Sequence, residues 1–265
     1  MVLNNLNRYA KLIFNQKMYF LARKYYFAVR KKKYRKYIGG ERYCPCCGNH
    51  ITEFIDFEYR SNHYNHQMYE EHYKNTICPV CCSLPRQRVA ASYIEKEFDY
   101  LRKKEILFFA PSYAGEVCMN RLGLTWQSAD LYQFADRKID IQNMDIPDES
   151  IEVILCNHVL EHVPEFKLAI QEMYRVLKKG GILELSVPQF PNQIYTAQDG
   201  HSKEENWKLY GQADHLRIFG LDIKDTLTEC GFTVTPVWGN ECEEAAGCRI
   251  GPADYDIDCI YVCEK

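Results

Sequence analysis

Residues 151–187 read IEVILCNHVLEHVPEFKLAIQEMYRVLKKGGILELSV, and this stretch decides the fold. Its first six residues, Ile151–Cys156, form an apolar run of the kind that fills a strand buried on both faces. Asn157, His158, Glu161 and His162 follow at the carboxyl end of that run. Pro164 opens a helix, at a position where a missing N–H costs nothing. Phe166, Ile170, Met173 and Leu177 recur at i, i+4, i+7 and i+11 and give that helix one apolar face. Gly180-Gly181 ends it, and Ile182–Val187 returns as the next strand. The unit is strand, helix, strand, with polar side chains at the strand tip, where open α/β sheets bind their ligands.

The same alternation extends outward. Ile106–Ala110 and Trp126–Ala129 read as two further strands, preceded by a helix over 88–103 with Ala90, Ile94, Phe98 and Leu101 on one side. Phe232–Val237 and Asp258–Cys263 read as the last two strands, separated by a polar loop. Strands alternating with helical patterns predict an α/β fold with a parallel sheet. The chain has 265 residues, enough for one such domain of about 150–180 residues plus a small module. At 46% hydrophobic content it has ample material for a core, which excludes a largely disordered chain.

Thirteen cysteines, an odd number, cannot all pair within the chain, and six of them crowd into two short clusters. Cys44-Pro45-Cys46-Cys47 and Cys78-Pro79-Val80-Cys81 are two C-P-x-C knuckles with residues 48–77 between them. Two C-x2-C pairs at this range can set four thiolates around one zinc, so Cys44, Cys47, Cys78 and Cys81 are the expected ligands of a structural site. Buried cysteines without metal are the alternative. Arg86 and Arg88 follow directly; either they clamp a substrate phosphate or they are solvated charges.

Charge is divided sharply along the chain. Residues 1–40 hold eleven Lys or Arg and no acid, against a formal net charge of −3 overall. This segment reads as a basic, aromatic, helix-prone arm. Three partners fit it: an anionic lipid surface, nucleic-acid phosphates, or the acidic body of its own protein. No secretory signal and no run of eighteen apolar residues is visible, so a cytoplasmic location is expected, with the arm peripheral on the inner membrane face. The organisation expected is an arm over 1–40, a zinc module over 41–87 and a catalytic domain over 88–265.

The segment CNHVLEHVPEFKLAIQEMYRVLKKGGILELSVP resembles the core of class I S-adenosylmethionine-dependent methyltransferases, the type-11 group in particular. DIQNMDIPDESIEVI upstream looks like their acidic loop and fourth strand; GQADHLRIFG and LTECGFTV resemble the segments before their last two strands. The likeness runs from about residue 78 to 263, and the knuckle with Arg-x-Arg is similar to a bacterial subgroup associated with surface polysaccharides. It implies a Rossmann-like seven-stranded sheet that binds S-adenosylmethionine.

The resemblance also assigns roles. Ala110, Pro111 and Ser112 stand in the loop that wraps the methionine part of the cofactor, although the usual glycine-rich pattern is absent. Asp130, with Leu131, corresponds to the acid that accepts the ribose hydroxyls, and Asp140 with Ile141 to the pair that meets the adenine. Cys156, Asn157 and His158 end the strand beneath the sulfonium. For a hydroxyl acceptor the candidate bases are His158 and His215, with Asp214 orienting the His215 imidazole; Arg217 would bind an acidic substrate group. The alternative for His215 is a helix cap or substrate contact, and Glu161 is expected to cap the helix after it. The expected activity is O-methylation of a sugar or glycan precursor. An RNA methyltransferase and an inactive scaffold of the same fold are the alternatives; no Asn-Pro-Pro-Tyr motif follows the fourth strand.

Overall fold

The computed structural model describes residues 16–60, 70–132, 134–189, 196, 202–210, 212–239, 242 and 258–265. Helix α1 (Gln16–Lys33) is followed by a short 3-10 turn at Arg35–Tyr37, strand β1 (Ile38–Cys44), β2 (Asn49–Ile51), β3 (Ile55–Arg60) and β4 (Glu70–Ile77). Then come α2 (Pro85–Lys96), α3 (Phe98–Leu101), β5 (Ile106–Phe109), α4 (Tyr113–Leu122), β6 (Trp126–Asp130) and β7 (Arg137–Lys138). The second half holds β8 (Ile151–Asn157), a 3-10 turn at Leu160–His162, α5 (Phe166–Val176), β9 (Leu177–Ser186), α6 (Lys203–Tyr210), α7 (Ile223–Glu229), β10 (Thr233–Trp238) and β11 (Cys259–Glu264).

Seven strands form one sheet in the order β10-β11-β9-β8-β5-β6-β7. From β7 to β9 all neighbours are parallel, and β11 lies antiparallel between β9 and β10. The chain winds outward from β5 through β6 and β7, then crosses to β8 and β9 on the other side. The winding therefore reverses between β5 and β8, and the carboxyl ends of those strands open a crevice for a ligand. This is the Rossmann-like arrangement expected from the sequence.

The expected apolar positions supply the core. Ile154 and Cys156 of β8 face one layer with Phe166, Ala169, Ile170 and Met173 of α5, while Val153 and Leu155 face the other, under α2 and α4. Met173 is fully buried, so truncating it to alanine would cost about 2–5 kcal/mol. Element ends differ from the sequence reading by a few residues. Pro85 at the first turn and the Leu84 N–H donated to Gln87 Oε1 (2.9 Å) start α2 three residues earlier than expected. Strand β9 begins at Leu177, because Lys265 N and Gly180 N pair across the Gly180-Gly181 segment with Gly181 O and Lys265 O.

The cysteine segment is not a separate body. Its side chains Cys44, Cys46, Ile51, Phe54, Cys78 and Val80 join Ile94, Phe108, Met119 and Leu155 in one apolar cluster, and α2 runs straight across the expected boundary at 87–88. A segment with so little apolar material of its own borrows the face of the sheet. Arg121 of α4 seals this union by donating to Pro45 O (2.6 Å) and pairing with Glu95, which also accepts from Tyr43 Oη (2.6 Å).

Helix α1 packs on its own protein through one side. Phe27 is buried and stacks on Tyr113 (centroids 3.4 Å apart, planes 8° apart), and Arg23 pairs with Glu116. Both partners lie in the first turn of α4. The opposite side leaves Met18, Leu21, Tyr25 and Val29 exposed beside Lys24, Lys31, Lys32 and Lys33. No helix among the described residues is long and apolar enough to cross a membrane.

Candidate active site

Four adjacent strand tips make the rim of the crevice. Register pairs Phe109 with Ala129 and with Cys156, and Asp130 with Lys138, so the chain leaves β5, β6 and β8 at one level. After β5 the backbone turns through Ala110, whose φ of +43° is a left-handed value that favours glycine. Its N–H still reaches Ala129 O (2.8 Å). Pro111 follows, and Ser112 caps α4 by accepting the Gly115 N–H at Oγ (3.1 Å). Ala110, Pro111 and Ser112 thus form a tight turn into a helix N-terminus, where free N–H groups favour an anionic group such as a carboxylate. Gly115 serves packing: a Cβ there would lie 2.8 Å from the Phe108 ring.

Asp130 ends β6, buried, with Oδ1 accepting the Tyr132 N–H (2.7 Å); Leu131 beside it is half-buried. Past β7, Asp140 holds its own loop by accepting from Gln142 N (2.9 Å), and Ile141 drops into the core. Helix α5 pins this acidic loop. Glu172 accepts the Met144 N–H (2.7 Å), and Arg175 donates to Met144 O (3.0 Å) and Ile146 O (2.8 Å). The expected trio Asp130, Asp140 and Asn157 is thereby brought to one edge of one sheet.

At the β8 tip, Asn157 is held from both sides. Its Nδ2 donates to Glu184 Oε2 (2.7 Å) and its Oδ1 accepts from Ser186 Oγ. The amide is used internally, so it contributes to the crevice as a positioning group. Glu184 is fully buried, and burial pushes its carboxyl up to about 7 although the Asn157 hydrogen bond works the other way. Cys156, expected at the ligand, is instead fully buried in the α5 layer, because side chains alternate along a strand and its neighbours face the other way.

His158 follows with φ of +54°, its N–H bonded to Ser186 O (2.9 Å). A non-glycine residue in this region costs about 1 kcal/mol or more and marks sites where orientation matters. Its Nδ1 stands 3.3 Å from Glu161 Oε1. Glu161 does not cap α5, which starts at Phe166; it is 1% exposed beneath His158, His162 and His215. Burial opposes its charge, yet the hydrogen bond from His158 and the nearby imidazoles hold its carboxyl below the usual range. The sequence showed the Glu161-His162 pair but carried no sign that a distant His215 would fold over it.

Four expected substrate or catalytic roles are corrected. Arg88 is fully buried, donating to Thr76 O (2.9 Å) and Ser83 O (2.7 Å) and lying over the Phe54 ring, so it ties the second knuckle to α2; Arg86, two residues earlier, stays half-exposed. Arg217 is buried too, and its guanidinium donates to the carbonyls of Leu160, Val163 and Pro164. It fixes the turn that carries Glu161. Asp214 does not orient His215: its carboxylate lies 3.7 Å from His162 Nδ1, whereas His215 Nδ1 meets Tyr210 O (3.0 Å). Burial lowers the His215 pKa to about 4, which makes it a poor proton acceptor near neutrality.

The four cysteines of the two knuckles converge as expected. Cys44, Cys47, Cys78 and Cys81 lie with their sulfurs within 4.8 Å of one another; Cys44 and Cys81 are 3.7 Å apart, Cys47 and Cys78 3.8 Å. A tetrahedron with bonds of about 2.3 Å to zinc has edges of about 3.8 Å, so these residues fit the ion. Cys46 turns away toward Gln87 O (3.4 Å).

Residues 116–185 match the family described as methyltransferase domain. The match runs from within α4 through the β8 tip into β9 and so spans Asp130, Asp140 and Asn157 of the rim. A Mycolicibacterium smegmatis protein named a probable S-adenosylmethionine-dependent methyltransferase is 25% identical over 123 residues, 42% of this chain and 47% of that protein. The chain thus spans about half the length of that relative. Among solved structures, a SAM-dependent methyltransferase from Archaeoglobus fulgidus aligns with a TM-score of 0.48 and 14% identity over 68% of this chain and 94% of its own. One from Mesorhizobium loti gives 0.47 and 12% over 67% and 98%.

Proposed function

We propose that the chain is an S-adenosylmethionine-dependent methyltransferase that O-methylates a sugar or glycan precursor, with a structural zinc in its four-cysteine cluster. The observation that carries the activity is the rim: the Ala110–Ser112 turn, Asp130, Asp140 and His158 at neighbouring strand tips around the winding reversal. Asp130 would accept from ribose hydroxyls, Asp140 would meet the adenine amino group, and the N–H groups opening α4 would take the carboxylate. The bound cofactor supplies an electrophilic methyl group. His158 then does the proton chemistry. Glu161 would fix its Nδ1–H, which leaves Nε2 to take the proton of an acceptor hydroxyl as that oxygen becomes methylated.

Zinc, held by four thiolates with no open position, would supply no chemistry. Its knuckles bear on Arg121 of α4, so it would buttress the helix whose N-terminus faces the cofactor. The exposed side of α1 suits an anionic surface, with apolar side chains set among lysines. That favours a lipid-linked acceptor at the inner face of a membrane. The test is transfer of labelled methyl from S-adenosylmethionine to nucleotide-sugar, lipid-linked glycan and RNA acceptors side by side. Label in the glycan fractions is expected; label in RNA alone would overturn the acceptor assignment.

A further inference from the structure

We infer a second metal site, distinct from the cysteine cluster, in which Glu161, His162 and His215 hold a divalent first-row transition ion beside His158. One ligand atom from each of the three lies within 4.8 Å of the others, and they come from two segments far apart in the chain. Two histidines and one carboxylate on one side of an ion are a set that suits Fe²⁺, Zn²⁺ or Co²⁺.

The hydrogen bonds around the cluster orient it for such an ion. His162 Nδ1 is 3.0 Å from Asp214 O and His215 Nδ1 is 3.0 Å from Tyr210 O. A carbonyl only accepts, so both Nδ1 atoms carry the hydrogen. In the neutral rings both Nε2 atoms then present lone pairs. Backbone carbonyls holding the far nitrogen are what metal-ligating histidines use to fix tautomer and ring angle. The two rings stand edge to face, 4.8 Å between centroids.

Glu161 adds the second, independent observation. It is 1% exposed, and its Oε2 has no hydrogen-bond donor among the described residues. A buried carboxylate oxygen without a partner is costly. Its Oε1, 4.0 Å from His162 Nε2, already meets His158 Nδ1 at 3.3 Å, so it is the unpartnered Oε2 of the same carboxylate that is left to take a cation. An ion with bonds of about 2.1 Å holds tetrahedral ligands about 3.4 Å apart, so atoms that lie up to 4.8 Å apart must draw together by as much as roughly 1.4 Å. His162, at 36% side-chain exposure, provides the entry and the freedom to close. Three protein ligands leave positions open for water or for oxygens of an acceptor, unlike the closed cysteine set.

Ion binding is measured without turnover, so this inference stands or falls apart from methyl transfer. Full-length protein carrying one zinc per chain is stripped of loosely held metal, then titrated with Co²⁺ and with Zn²⁺ by calorimetry and, for cobalt, visible absorption. One further equivalent is expected, with a nitrogen–oxygen cobalt spectrum lacking thiolate charge transfer. His162→Ala and Glu161→Gln should each weaken that event tenfold or more while the cysteine-bound zinc stays. Because His215 is buried, the more exposed His162 carries the test, and a melting curve confirms that its variant folds. No second equivalent, as a simple imidazolium–carboxylate pair would give, overturns the site. So does equal binding by H162A.

Discussion

The two ligand clusters of this chain were built by opposite means. Cys44, Cys47, Cys78 and Cys81 sit in two rigid turns, their sulfurs already at the edges of a tetrahedron and inside an apolar cluster shared with the sheet. Glu161 and His162 follow the tip of β8 and meet His215 from a distant segment, with one member at the surface. The first is closed and symmetric, which suits a group that only holds things together. The second is looser and lies next to a residue in a left-handed backbone conformation. A complete, preformed ligand shell signals architecture here, and an incomplete one signals chemistry.

Removing the closed site should have the largest effect. A strong chelator, or Cys78→Ser, is expected to cost about 4 kcal/mol or more, lowering the melting temperature by about 10 °C or more along with zinc content. An unchanged melt would show that the knuckles pack without metal. At the open tip the effect should fall on rate. His158→Asn keeps a side chain that tolerates positive φ but removes the base. A kcat loss of about 10²–10⁴ is expected with cofactor affinity unchanged, and equal losses in both would mean that His158 only shapes the pocket.

Glu184 separates burial from chemistry in the same strands. Its folded pKa of about 7 lies above its ordinary 4.5, so the folded state holds the proton more tightly. Stability from this group is full below the ordinary value and is lost as pH rises through about 7. Glu184→Gln should therefore be more stable than wild type by about 2–3 kcal/mol at pH 8, with the gap closing near pH 5. A pH-independent difference would contradict the shift. The smallest effect belongs to the cofactor turn: Ala110→Gly should gain about 0.5–1 kcal/mol by relieving the left-handed strain, read by denaturant unfolding.

Much of this was legible in sequence because it depends on local spacing. Phe166, Ile170 and Met173 announced the inward face of α5, and the paired C-P-x-C turns announced four converging thiols. What failed was the fate of individual charged side chains. Arg88 and Arg217 read as substrate-binding cations because nothing local says which backbone carbonyls will gather around a guanidinium; Thr76, Ser83, Leu160, Val163 and Pro164 do so only once the chain has folded. Glu161 was misread for the same reason. Its meaning comes from His215, on a segment that the helix α5 and strand β9 separate from it. The arm was divided: one side packs on α4, and the side that sequence charge alone describes remains exposed.

The most direct measurement is calorimetric titration of the full chain with S-adenosylmethionine, beside the Asp130→Asn variant, which can still accept the Tyr132 N–H. Wild type is expected to bind one equivalent per chain, and the variant to bind about tenfold more weakly, near 1.4 kcal/mol, with its melt unchanged. No binding by folded wild-type protein, or equal binding by both, would contradict the assignment of the strand-tip rim as a cofactor site.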